Sequence, residues 1–275
     1  MRRRVRSAVA VAGLTALTVA CGGGGEDGPG PFGGASGPSA QGSDGTGGDD
    51  TGSGDLGALE GLTAPEISER ARQALVSVES LRVNAQGTSD SQAMTMDLHL
   101  DRAGSCVGSV SSAGTGSVEI TVRAGEEVWM KPDAEFWQTN LGAADPQLVA
   151  LLDGRYLHGS TSDPEMAGMV GVCALEDMLA ETAQDTDTDG DVTLGETTEH
   201  DGVPAVTLHL DDPDGPQTML VATEGEPYPL LLSGEDEEGP MEMALSAFDE
   251  PVVVEEPPAA HILEVADFRS GDIQA

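Results

Sequence analysis

Between residues 94 and 101 polarity alternates at every position: Met94, Met96, Leu98 and Leu100 are separated by Thr95, Asp97, His99 and Asp101. A period of two places the apolar set on one face of a strand and the polar set on the other. The same alternation runs through Leu81, Val83 and Ala85, through Val118, Ile120 and Val122, and through Val206, Leu208 and Leu210. Further extended runs are expected over residues 106–112, 128–130, 136–137, 155–159, 192–198, 219–222, 228–232 and 241–248. Turn formers separate many of them, among them Arg102-Ala103-Gly104, Thr115-Gly116, Gly125-Glu126 and Asp201-Gly202. Short strands joined by tight turns predict an antiparallel meander.

Elsewhere the period is helical. Ile67, Ala71, Ala74, Leu75 and Val78 recur near 3.6 and predict a helix over residues 62–81, with Thr63 as N-cap and Pro65 and Glu66 in the first turn. Asp145-Pro146, Asp163-Pro164-Glu165 and residues 175–183 predict shorter helices mid-chain, and residues 261–268 a weak terminal segment. The layout is helix, strands, helices, strands, an α+β fold. A sheet polar on one side needs its other side covered. A few helices cover about eight to eleven strands only in part, so a strongly curved antiparallel sheet is expected, its concave face partly capped. Facing inward would be Met94, Met96, Leu98, Leu100, Val118, Ile120, Val122, Leu208, Leu210, Met219, Met241, Met243 and Leu245. These either fill a plain core or line an apolar cavity. Methionine, flexible and polarisable, suits irregular apolar partners such as acyl chains.

The first residues have another character. Arg2, Arg3, Arg4 and Arg6 precede a short apolar run ending Leu17-Thr18-Val19-Ala20-Cys21. That order predicts a secretory signal peptide rather than a membrane span. Leu-x-x-Ala-Cys resembles a bacterial lipobox, with Val19-Ala20 a looser fit than the usual small pair. The resemblance implies that Cys21 is thioether-linked to diacylglycerol and becomes the N-terminus. The protein would then be held by its lipid on the extracytoplasmic face of the plasma membrane, at about 0.8 kcal/mol per buried methylene. The expected organisation is a signal peptide over residues 1–20, the lipidated cysteine with a Gly-, Ser- and Asp-rich tether over 21–55, and one folded domain over 56–275. The tether composition buries too little to fold.

Charge and cysteines narrow the options. The net charge is −37, and four of the twelve basic residues lie in the signal peptide. So acidic a surface repels nucleic acid, which is excluded as a partner. With Cys21 assigned to lipid, Cys106 and Cys173 remain, and an even pair outside the cytoplasm predicts a disulfide, two buried thiols being the alternative.

Candidate chemistry is sparse. Asp185, Asp187, Asp189, Gly190 and Glu196 match the spacing of an EF-hand calcium loop, in which alternate carboxylates wrap a hard cation. However, residues from Val192 onward read as a strand, and Gly195, Gly202 and Pro204 forbid an exit helix. An acidic linker before a strand is the preferred reading, with no metal and no cofactor. His99, His158, His200, His209 and His261 are scattered, and no nucleophile or phosphate-loop motif occurs. No enzymatic activity is expected.

Several motifs in order resemble one family, the actinobacterial LppX/LprG-type lipoproteins with a LolA-like half-barrel. They are the lipobox and tether, the first helix, SVESLRV, GSCVGSV, VWMKPDAEFW, EHDGVPAVTLHL and the closing FDEPVVVEEPP. The resemblance covers nearly all of residues 60–268. It implies an 11-strand-like half-barrel around helices and a hydrophobic cavity for lipid or lipidated glycan, and it favours the cavity over the plain core. The expected function is binding, with transport, of a lipid or other apolar ligand. The alternative is a non-enzymatic envelope signalling or assembly module whose protein partner is unknown.

Overall fold

The computed structural model describes residues 56–89, 92–140, 146–184, 192–212, 215–236 and 239–270. The expected signal peptide and tether, Cys21 included, lie outside these residues, as do residues 185–191 of the acidic loop.

The chain opens with α1 (Ala64–Ser77) and a five-strand meander: β1 (Ser80–Ser89), β2 (Gln92–Asp101), β3 (Cys106–Ser112), β4 (Gly116–Arg123) and β5 (Glu127–Pro132). Helices α2 (Ala134–Asn140) and α3 (Pro146–Leu152) follow, then β6 (Tyr156–Ser160), α4 (Pro164–Val170) and α5 (Leu175–Gln184). A second meander comprises β7 (Val192–His200), β8 (Val203–Asp212), β9 (Gly215–Ala222), β10 (Pro229–Asp236) and β11 (Gly239–Ser246). The described chain ends in β12 (Ile262–Glu264) and α6 (Val265–Ser270). All twelve strands join one open, curved sheet ordered β12-β6-β5-β4-β3-β2-β1-β11-β10-β9-β8-β7. Its pairings are antiparallel except β12 with β6. The meanders meet where β1 pairs with β11, Val83 opposite Leu245 and Ala85 opposite Met243.

The turns follow from residue type. Asp201 and Gly202 sit at φ 48° and 84° between β7 and β8, the mirror-image backbone that matches strand twist in a two-residue hairpin. On α1, the Glu66 carboxylate accepts hydrogen bonds from the Thr63 backbone N–H and hydroxyl at 2.8 and 2.7 Å, closing the first turn.

Two expectations need correction. The first helix stops at Ser77, not near Leu81: Val78 is already extended, and Ser80 and Leu81 pair with Asp101 and Leu100 in the sheet. Ladder hydrogen bonds to β2 outweigh another helical turn. Residues 136–137, expected as a strand, lie in α2. The cause is Asp133, whose carboxylate accepts from the Phe136 N–H at 2.7 Å and from the Ser117 N–H and hydroxyl at 2.9 and 2.7 Å. Desolvation pushes this carboxyl up, but the donors outweigh it and hold it below its ordinary value. Asp133 thus starts a helix and fixes it to β4.

The helices bury one face of the sheet in two clusters. On the β7–β9 side, Ala64, Ile67 and Ala71 of α1 pack with Leu59 on Val206, Leu208, Met219 and Val221. On the other side, Trp137, Val149, Leu152, Met166, Leu175 and Leu179 from α2 to α5 pack on Leu81, Leu98, Leu100, Ile120, Val122 and Met130. Arg102, after β2, joins the helices at the lower end. It donates to the carbonyls of Val76 and Val78 at 2.6 and 2.7 Å, satisfying the C-terminus of α1, and to Glu176 of α5 at 2.6 Å. Cys106 and Cys173 form the expected disulfide, with Cα atoms 5.6 Å apart, tying the segment before α5 to β3.

Two predictions follow from these anchors. Replacing both Cys106 and Cys173 with alanine should lower unfolding free energy by about 2–5 kcal/mol, measured by denaturant titration. Asp133→Ala should cost about 1–2 kcal/mol as a lost helix cap. Because the folded carboxyl is held low, the gap between wild type and variant should be full above about pH 4 and shrink as pH falls through the depressed value.

Candidate functional site

The concave face consists of rows that cross the strands. One row reads Leu157, Met130, Ile120, Gly108, Leu98, Val83 and Leu245. The next row toward the β1–β2 hairpin end holds Val118, Val110, Met96, Ala85, Met243, Leu232, Met219 and Leu208. One step further, Met94 lies opposite Gly87 of β1, and Met241 contacts that glycine from β11. Along this direction side chains on β1 shrink from Leu81 through Val83 and Ala85 to Gly87. Those flanking them change from leucine (Leu98, Leu100, Leu245) to methionine (Met94, Met96, Met241, Met243).

Burial follows the same gradient. Of the thirteen residues expected to face inward, Leu98, Leu100, Val118, Ile120, Val122, Leu208, Met219 and Leu245 are buried, all within the two helix-covered clusters. Met96, Met243 and Leu210 are half-buried. Met94 and Met241 are 38% and 43% exposed. The face therefore has a lower part filled by helix side chains and an upper part, over β2, β1 and β11, open to solvent.

The described residues that face this opening are uncharged. Behind it, on the convex face, Arg82 donates twice to Asp97 at 2.7 Å, and Gln86 donates to Glu242 at 2.9 Å. The hydrogen bonds from Arg82 hold Asp97 below the ordinary carboxylate value. Alternation sends these polar groups backward and leaves sulfur and hydrocarbon in front.

Other candidates do not converge on this face. A cleft of about 310 Å³ near the β7 edge is bordered by Gly57, Thr197, Thr198, Pro204, Ala205, Thr223 and Glu224, none of them expected to line a cavity. Among the described residues no group of three His, Cys, Asp or Glu side chains is placed to hold a metal ion. After the acidic loop the chain enters β7 at Val192, so Glu196 belongs to a strand. No described helix is long and apolar enough to cross a membrane. The row residues that sequence reasoning passed over include Gly87, Val110 and Leu232. Gly87 had a readable signal: it continues the alternation of Leu81, Val83 and Ala85.

No family model matches the chain, and no curated protein matches it in sequence. Solved structures do resemble it in shape. The lipoprotein LppX of Mycobacterium tuberculosis is 14% identical, covering 70% of this chain and 98% of its own, with a TM-score of 0.44. LprF of Mycobacterium bovis is 14% identical, covering 71% and 97%, with a TM-score of 0.47. The MucA/MucB complex of Pseudomonas aeruginosa is matched at 14% identity over 72% of this chain and 59% of that one, with a TM-score of 0.31. LppX, described as a lipoprotein, bears the name of the family that the sequence motifs resemble.

Two glycines on this face differ in what they tolerate. A Cβ on Gly108 would meet the Asp97 carbonyl oxygen at 1.9 Å, whereas one on Gly87 would rest at 3.6 Å from Met241 Cγ, ordinary contact. Gly108→Ala should therefore cost more than about 2 kcal/mol by forcing β2 and β3 apart. Gly87→Val should stay within about 1 kcal/mol of wild type, because valine suits a strand. Denaturant titration of both variants checks the contrast.

Proposed function

We propose that this chain is a membrane-anchored extracytoplasmic lipoprotein that holds an apolar ligand, a lipid acyl chain, against the open end of its concave sheet face. The observation that carries this reading is the unbroken apolar surface that runs from the sealed helix-covered rows out to Met94 and Met241, 38% and 43% exposed. Exposed methionines contiguous with a core, on a chain otherwise strongly acidic, are a binding surface rather than scattered apolar residues. The lipobox-like Leu17 to Cys21 supplies the anchor in this proposal. The ligand is bound and passed on without chemistry.

Size sets what the open part holds by itself. A segment of about five methylenes lying across it gains about 4 kcal/mol at roughly 0.8 kcal/mol each, a millimolar affinity. Tighter binding needs more of the face, and α1 is the lighter cover. Three of its five buried residues are alanine, with only Ile67 and Leu75 large, so lifting it exposes less apolar area than lifting a leucine-faced helix. By contrast, the disulfide ties the approach to α5 to β3. In this proposal the ligand enters at the methionines and wedges beneath α1.

Full-length protein from a membrane-containing host should carry lipid in native mass spectra, and Cys21→Ser should move it from the membrane to the soluble fraction. Gly87→Val should weaken binding of a fluorescent acyl probe at least ten-fold by filling the gap between Met94 and Met241. A lipid-free protein whose probe binding ignores Gly87→Val would overturn the ligand reading and favour a module that recognises another protein.

A further inference from the structure

The methionines of the open end occur as two Met-x-Met steps, Met94-Thr95-Met96 on β2 and Met241-Glu242-Met243 on β11. Each step places both sulfurs on one face, their residues about 7 Å apart along the strand. Between them lies β1, which offers only Ala85 and Gly87 at these levels. The two outer strands are therefore about 10 Å apart, with almost nothing standing between their side chains. Met241 already leans into that gap: its Cγ is 3.6 Å from where a Gly87 Cβ would be.

We propose that Met94, Met96, Met241 and Met243 form a soft-metal site that holds one Cu(I) ion through thioether sulfur. Plain packing does not explain the residue choice. Both strands use leucine where the face is buried, at Leu98, Leu100 and Leu245, and both change to methionine where it opens. Thioether is a soft, uncharged donor that selects Cu(I) over zinc, calcium or magnesium. The carboxylates beside these methionines on their own strands, Asp97 and Glu242, point to the opposite face and are engaged by Arg82 and Gln86. Methionine, unlike cysteine, keeps its ligand character in an oxidising compartment without forming disulfides. The chain's net charge of −37 raises the local concentration of cations. Binding is ligand exchange alone, with no change in copper oxidation state. The site stands on the register that puts the four methionines on one face beside Ala85 and Gly87, and does not depend on a lipid being bound.

The test uses the full chain with Cys21→Ser, so that no free thiol competes and the other two cysteines remain in their disulfide. Cu(I) is supplied anaerobically as its acetonitrile complex, in competition with a chromophoric Cu(I) chelator, and the methionine methyl groups are observed by carbon-13 NMR. One ion per chain should be retained, and the methyl signals of the four site methionines should move together while those of Met130 and Met166 stay still. Ag(I) should reproduce the shifts, and Zn(II) should not. Met94→Leu with Met241→Leu keeps the surface apolar. It should lower Cu(I) affinity at least 100-fold while the thermal midpoint remains. Loss of all copper to the chelator, shifts confined to other methionines, or retention unchanged in the double leucine variant would each overturn the site. If the double variant unfolds, the methyl shifts of the Cys21→Ser chain with Ag(I) decide alone. Failure here with intact sensitivity of the acyl probe to Gly87→Val removes the metal and leaves the ligand reading standing.

Discussion

The antiparallel pairing of β1 with β11 holds the architecture together. Arg82 to Gln86 on one strand meet Ser246 to Glu242 on the other, joining segments more than 150 residues apart in sequence. Each half of the chain makes its own meander from local hairpins, and neither half alone has a concave face with two walls. Only across this seam do the apolar rows run on from one meander into the other, the longer of them from Val118 of β4 to Leu208 of β8. The open end lies on the seam, and β1, which carries the smallest side chains, is its floor.

The helices then decide how much of that floor stays uncovered. Helix α1 sits over β7–β10, α2 to α5 gather over β1–β6, and Arg102 with the Cys106–Cys173 disulfide draws α1 and α5 to the lower end. Burial of hydrocarbon is not directional, so the directional links, cap, clasp and disulfide, determine which rows are sealed. The same links leave the hairpin end, where Met94 and Met241 stand in solvent, without a lid among the described residues.

Among the described residues, the opening combines softness with lack of charge. Alternation within β1, β2 and β11 sends Arg82, Asp97, Gln86 and Glu242 to the convex side, where they satisfy one another. The front is left with thioether and alkyl groups. Such a surface has little hold on hard ions or polar metabolites.

Much of this was legible along the chain because β-strand alternation is local: a period of two states which side chains share a face before any partner is known. The faces of β2, β4 and β8, most hairpin turns and the positions of α3 to α5 follow from such short-range signals. So does the pairing of Cys106 with Cys173, the two cysteines left once Cys21 is assigned to lipid. Three things needed the folded chain. Phe136 and Trp137 read as strand until Asp133 captured the Phe136 amide. The end of α1 depended on Ser80 and Leu81 finding β2. Which inward-facing residues are sealed and which stay open depended on where the helices came to rest, a contact between distant segments that no local period encodes. Alternation assigns a side chain to a face; only packing determines what lies above it.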